Sequence, residues 1–204
     1  MLNNLVNKKI DTIKLNSNLL NSNKLFGFWL YLMSDCIIFA TLFSVYIVMK
    51  NNVAHGPSGP EIFNFFMIIL ESLFLLFSSF TFSFSLLNVE KYNINKSILW
   101  LSITFLLGTS FLLLEMFELY NLITIGYGPS HSGFLSAFFT LLLTHSIHVI
   151  TALIWILVMI RQIISFGITC KVYTRILCLS LFWHFLDIVW VFVFSIVYLI
   201  GETL

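Results

Sequence analysis

Leu181-Phe182-Trp183-His184-Phe185-Leu186-Asp187-Ile188-Val189-Trp190 lies inside an apolar run from about Ile176 to Leu199. A run of that length crosses a bilayer as a helix, which takes about 20 residues. It carries two ionisable residues three apart. Positions i and i+3 are neighbours on one helix face, so His184 and Asp187 can hydrogen-bond or share a charge. An unpaired charge at membrane depth costs from about 2.5 to more than ~10 kcal/mol. The pair must therefore face protein or a wet cavity, where it can bind helices together, handle protons or assist a redox centre. Trp183 and Trp190, seven apart, share a face of their own.

Outward from this stretch the same chemistry repeats. The chain has 204 residues, 59% hydrophobic and 9% charged. A soluble domain carries roughly 25% charged residues, so the composition is that of an integral membrane protein. A net charge of +1 argues against a nucleic-acid partner, which would call for a strongly basic surface. Cys36, Cys170 and Cys178 are scattered and odd in number, which excludes a disulfide framework and a zinc site of the usual spacing.

The fold expected is all-α, a bundle of five membrane-spanning helices over about 26–49, 62–87, 97–120, 133–160 and 176–199. Residues 1–24 read as a flexible polar tail without a cleavable leader, and 25–204 as the membrane domain. Pro57, Pro60 and Pro129 fall in connections, where they interrupt no helical hydrogen bond. Lys8, Lys9, Lys14, Lys24, Lys91, Lys96, Arg161, Lys171 and Arg175 fall on one side, with Lys50 alone on the other. That asymmetry predicts a cytoplasmic N-terminus and an outward, periplasmic C-terminus. His55-Gly56-Pro57-Ser58-Gly59-Pro60 and Gly126-Tyr127-Gly128-Pro129 then form turn-rich outer loops.

Five carboxylates and three histidines fall within the expected spans: Asp35, Glu71, Glu115, Glu118, Asp187, His145, His148 and His184. At membrane depth these are functional-site candidates. Counting about 1.5 Å per residue, Asp35, His148, His184 and Asp187 share a layer in the inner half. Glu71 lies nearer the middle, and Glu115 and Glu118 towards the outer end. Glu71, Ser78, Thr81 and Ser85 recur at helical period and should face neighbouring helices. His145 and His148 form H-x-x-H, which lacks the glutamate and spacing of a zinc protease, and no E-x-x-H of a bundle di-iron site occurs. Haem ligation needs only one histidine from each of two helices, so spacing leaves it open. No phosphate-binding, dinucleotide or serine-hydrolase motif is present.

These residues closely resemble the subunit III family of haem-copper oxidases, nearest to the five-span form of cytochrome bo-type (cytochrome o) ubiquinol oxidases. The resemblance runs from Leu25 to Gly201. It rests on Phe26–Cys36, Glu71–Ser79, Ser132–Phe139, Thr144–Val149 and the W-H-F-x-D-x-V-W pattern of Trp183–Trp190. It implies a non-catalytic subunit of a proton-pumping ubiquinol oxidase in the bacterial inner membrane. Such a subunit carries no cofactor or metal of its own. It packs beside subunit I, which holds haem b, haem o and copper, with subunits II and IV in the same complex. The family's helices form a lipid-filled cleft, and the subunit supports integrity, proton uptake and oxygen access. Residue by residue, Asp35 matches the family's carbodiimide-reactive glutamate, one methylene shorter. Glu115 and Glu118 match a Gln-x-x-Glu, with one more acidic group here. His145 and His148 match paired histidines, with Ser146 where the family usually has glycine. His184 and Asp187 match directly. Arg161, Lys171 and Arg175 are positioned to attract anionic lipid heads.

Two other classes draw on the same residues. An independent proton or small-solute transporter could use the Asp35, His184 and Asp187 layer, and a small membrane enzyme could build a His and carboxylate metal site.

Overall fold

A computed structural model describes the backbone of residues 2–50, 52 and 65–199, and the side chains of 23–50, 52 and 66–198. The described residues form five α-helices: α1 (Leu2–Met49), α2 (Phe65–Glu90), α3 (Ile94–Thr124), α4 (Gly133–Phe166) and α5 (Cys170–Val193). A π-helical turn, Phe194–Leu199, continues α5. All five are long and apolar enough to cross a membrane, and the described residues contain no strand.

The helices outrun the apolar segments from which they were predicted. The largest difference is in α1, whose backbone is helical from Leu2, where the sequence suggests a flexible tail over 1–24. Met1 to Phe26 contains neither proline nor glycine, so nothing in that stretch stops a helix from propagating. In α4 and α5 the extra turns end at caps. Ser132 accepts a hydrogen bond from the Leu135 amide at 3.2 Å and opens α4. Gly167, at φ +65°, closes α4 in a conformation that favours glycine. Thr169 then accepts from the Val172 amide at 3.4 Å and opens α5 six residues ahead of the apolar run. The proline-rich connection His55–Pro60 lies outside the described residues, as do the side chains of Lys8, Lys9 and Lys14.

Packing places α5 at the centre, against α1, α2 and α4, while α2 and α3 form the most extensive helix pair and α3 also packs on α4. The outer surface is apolar, with Phe26, Ile37, Val48, Phe80, Leu113 and Ile147 all exposed. The interior holds hydroxyls: Ser78, Ser85, Ser97 and Thr104 have no exposed surface. This is the distribution lipid favours, since tails reward no apolar burial and polar groups do better against other helices. Hydroxyls that remain exposed satisfy themselves locally, as when Thr41 donates to Ile38 O at 2.7 Å and Thr151 to Ile147 O at 2.9 Å.

Cross-helix hydrogen bonds fix the registers. Thr81 meets Thr104 at 2.8 Å, and Ser85 donates to Ser97 O at 3.2 Å, joining α2 to α3. The indole of Trp183 donates to Ser78 Oγ and that of Trp190 to Ser72 Oγ, each at 3.1 Å, joining α5 to α2. Tyr46 donates to Val197 O at 3.3 Å and pins the π-helical turn to α1. One end of the bundle carries Lys24, Lys171 and Arg175 around a shared cavity. At the other end Phe134 N donates to Asn52 O at 3.3 Å, tying the start of α4 to the end of α1.

Candidate functional site

Asp35, His148, His184 and Asp187, expected in one layer, form two pairs. Asp35, 5% exposed, is carried on α1. Its Oδ2 lies 3.9 Å from His148 Nε2 on α4. That is an ion-pair approach rather than a hydrogen bond. His148 Nδ1 donates to the Thr144 carbonyl at 2.7 Å, so its hydrogen is committed to the backbone. Nε2 then faces Asp35 either as a second donor or as the acceptor of a carboxyl proton.

The second pair lies on α5, with His184 Nδ1 3.5 Å from Asp187 Oδ2. His184 Nε2 is 3.5 Å from the Ser83 hydroxyl of α2, and Asp187 lies beside Ser79. Aromatic rings pack against His148. Phe39 lies 5.3 Å from the His148 ring and 6.3 Å from Phe185, and Phe182 lies 6.4 Å from His148. The His184 side chain is 40% exposed because it borders a groove of about 630 Å³ between α1 and α5, lined by Trp29, Met33, Cys36, Phe43 and Phe192.

The two histidines of H-x-x-H do not act together. His145 is fully buried, its ring 5.4 Å from Trp190, 6.0 Å from Phe111 and 6.4 Å from Phe39. Neither of its nitrogens has a hydrogen-bond partner, whereas His148 is turned to Asp35. Among the described residues no group of three His, Cys, Asp or Glu could hold a metal ion.

Glu71, Ser78, Thr81 and Ser85 all face inward on α2, as their period requires. Glu71 meets Glu115 and Glu118 of α3 within electrostatic reach, a convergence that spacing alone does not reveal. Glu71 is 0% and Glu115 1% exposed, while Glu118 is half-buried.

Of the three cations expected at lipid heads, Lys171 and Arg175 line one cavity of about 440 Å³ together with Lys24. Phe28, Tyr31 and Trp155 add an aromatic wall. Arg175 Nη1 donates to Gln162 Oε1 at 2.8 Å, which fixes its direction. Arg161 is exposed on α4 and does not line this cavity. Sequence reasoning did not assign Lys24 to this group. Its position two residues before the apolar run is the available signal.

Comparison with known proteins bears on this arrangement directly. A family model described as cytochrome c oxidase subunit III matches residues 15–202. The chain is 58% identical over 188 residues to a Buchnera aphidicola (subsp. Baizongia pistaciae) protein named cytochrome bo(3) ubiquinol oxidase subunit 3, covering 92% of this chain and 96% of that one. It is 49% identical over 179 residues to a protein of the same name from Pseudomonas aeruginosa, covering 88% and 86%. It is 38% identical over 186 residues to the cytochrome c oxidase subunit 3 of Bacillus sp. (strain PS3), covering 91% and 90%.

Proposed function

The chain belongs to the cytochrome c oxidase subunit III family, and from that premise we propose that it is the non-catalytic third subunit of a proton-pumping terminal ubiquinol oxidase. The observation that carries this reading is the 58% identity, over nearly the full length of both chains, to a relative named for such an oxidase. The redox chemistry belongs to partners: subunit I carries haem b, haem o and copper, and subunits II and IV complete the complex. The complex sits in the bacterial inner membrane. The end holding Lys24, Lys171 and Arg175 faces the cytoplasm, and residues 1–24 extend α1 on that side.

This chain's residues supply structure. The indole bonds of Trp183 and Trp190 clamp α5 to α2, and the Asp35–His148 pair ties α1 to α4. The assembled bundle supports subunit I and the access of protons or oxygen to it. Lys24, Lys171 and Arg175 take an anionic phospholipid headgroup against Phe28, Tyr31 and Trp155, a reading supported by their shared cavity. Arg161 meets headgroups separately. The comparisons lend nothing to the transporter reading.

The test compares the isolated oxidase with and without this chain. The first minutes of ubiquinol oxidation are expected to proceed at a similar rate in both, with the depleted enzyme losing activity sooner during turnover. Immediate and complete loss of oxidation on removing the chain would contradict an accessory role.

A further inference from the structure

Glu115 and Glu118 point from α3 into the bundle, and a third carboxylate comes to meet them from another helix. Glu71 of α2 is 0% exposed, and neither of its carboxyl oxygens has a hydrogen-bond partner. Both oxygens of Glu115 are in the same condition, and so is Oε1 of Glu118. The three groups lie within electrostatic reach of one another.

Their surroundings are polar and come from separate elements. Ser146 of α4 lies beside Glu115. Tyr198, in the π-helical turn after α5, is within reach of all three carboxylates. Tyr46 of α1, 1% exposed, holds that turn through its bond to Val197 O. Every helix thus contributes to closing one small region near the bundle end that holds Met49 and Gly133.

Five buried carboxyl oxygens without a protein partner are an unusual expense. A polar group buried without a hydrogen bond costs roughly 2–7 kcal/mol, and an isolated charge far more. Buried polar atoms are nearly always satisfied by protein or ordered water, and one internal water typically serves about three of them. Close carboxylates also resist joint ionisation. A cation is the less favoured occupant, because among the described residues no three His, Cys, Asp or Glu groups are placed to hold one.

We propose that Glu71, Glu115 and Glu118, with Ser146 and Tyr198 around them, enclose an internal water pocket whose carboxyl groups share exchangeable protons. Glu118, half-buried, connects the pocket to the bundle surface and is its route of exchange. The proposal goes beyond the oxidase reading and needs only this chain's fold.

The tagged chain, with whatever subunits it brings, is compared with Glu71→Gln, Glu115→Gln and Glu118→Gln by infrared difference spectroscopy in H2O and D2O. Wild type minus Glu71→Gln, and wild type minus Glu115→Gln, should each show loss of a carboxyl C=O stretching band that shifts in D2O. The idea is overturned if no variant loses such a band, if the band ignores D2O, or if added Na⁺ or Ca²⁺ shifts it. Should the glutamine variants fail to fold, an experimental density map of the wild-type chain decides. Ordered water between Glu71 and Glu115 is the expected result, and a cation or direct protein hydrogen bonds to both carboxylates would refute it.

Discussion

Trp183 of α5 lies across Gly108 of α3 so closely that a Cβ at residue 108 would come within 2.7 Å of the indole Cη2 and 3.0 Å of Leu153 Cδ2. The glycine is a packing requirement here, since α3 approaches α5 at the ring that α5 uses to bind α2. Gly108→Ala gains helix propensity of about 1 kcal/mol, but overpacking a tight interface costs about 1–3 kcal/mol. A lower apparent Tm of the purified protein is expected, with Gly27→Ala as control, because a Cβ there meets nothing within 4 Å.

The Trp183–Ser78 hydrogen bond should show a measurable coupling. Ser78 also donates to Leu75 O at 2.6 Å, so Trp183→Phe leaves the serine satisfied. A double-mutant cycle with Ser78→Ala should return about 0.6 kcal/mol, the average for such bonds within membranes. A coupling indistinguishable from zero would mean that shape alone holds the clamp.

The Asp35–His148 approach makes a graded prediction. With Nδ1 committed to Thr144, His148 Nε2 can accept a hydrogen bond from the amide in Asp35→Asn. Asp35→Leu leaves that nitrogen unpaired at a cost of about 1–3 kcal/mol. Assembly yield should therefore fall less for asparagine than for leucine, and equal losses would show that the contact does not tie α1 to α4.

Asp187→Asn removes the ionisable carboxyl that faces His184 at 3.5 Å. Because α5 touches α1, α2 and α4, the expected effect is on assembly and on survival during turnover. The initial rate should change less. Complete and immediate loss of oxidation in a fully assembled complex would contradict this.

Neutralising the basic cavity should strip bound anionic phospholipid. Replacing Lys24, Lys171 and Arg175 together by glutamine is expected to reduce co-purified anionic lipid severalfold, by mass spectrometry of the extracted lipid. Arg161→Gln, outside the cavity, should leave most of it in place.

The bundle was largely legible because a membrane makes the rules strict. Apolar length marked the five helices, and helical period sent Glu71, Ser78, Thr81 and Ser85 inward. Depth counting puts Asp35, His148, His184 and Asp187 in one layer, and i,i+3 spacing pairs His184 with Asp187. It could not tell that Phe39 and Phe182 pack against His148, since that depends on which helices become neighbours. The meeting of Glu71 with Glu115, and of Tyr198 with both, was hidden for the same reason. The helical start of α1 is not legible from polarity, which suggests a loop, because polar residues without glycine or proline can continue a helix. His145 shows the converse limit: spacing paired it with His148, but on α4 the two rings face different neighbours.

A mild-detergent purification through a tag on this chain tests the central claim most directly. Haem spectra, copper content and co-eluting chains would be read from one sample. The account predicts b- and o-type haem and copper arriving with larger partner chains, and leaving when this chain is stripped away. A folded chain that elutes alone and colourless, from membranes that oxidise ubiquinol, would contradict it.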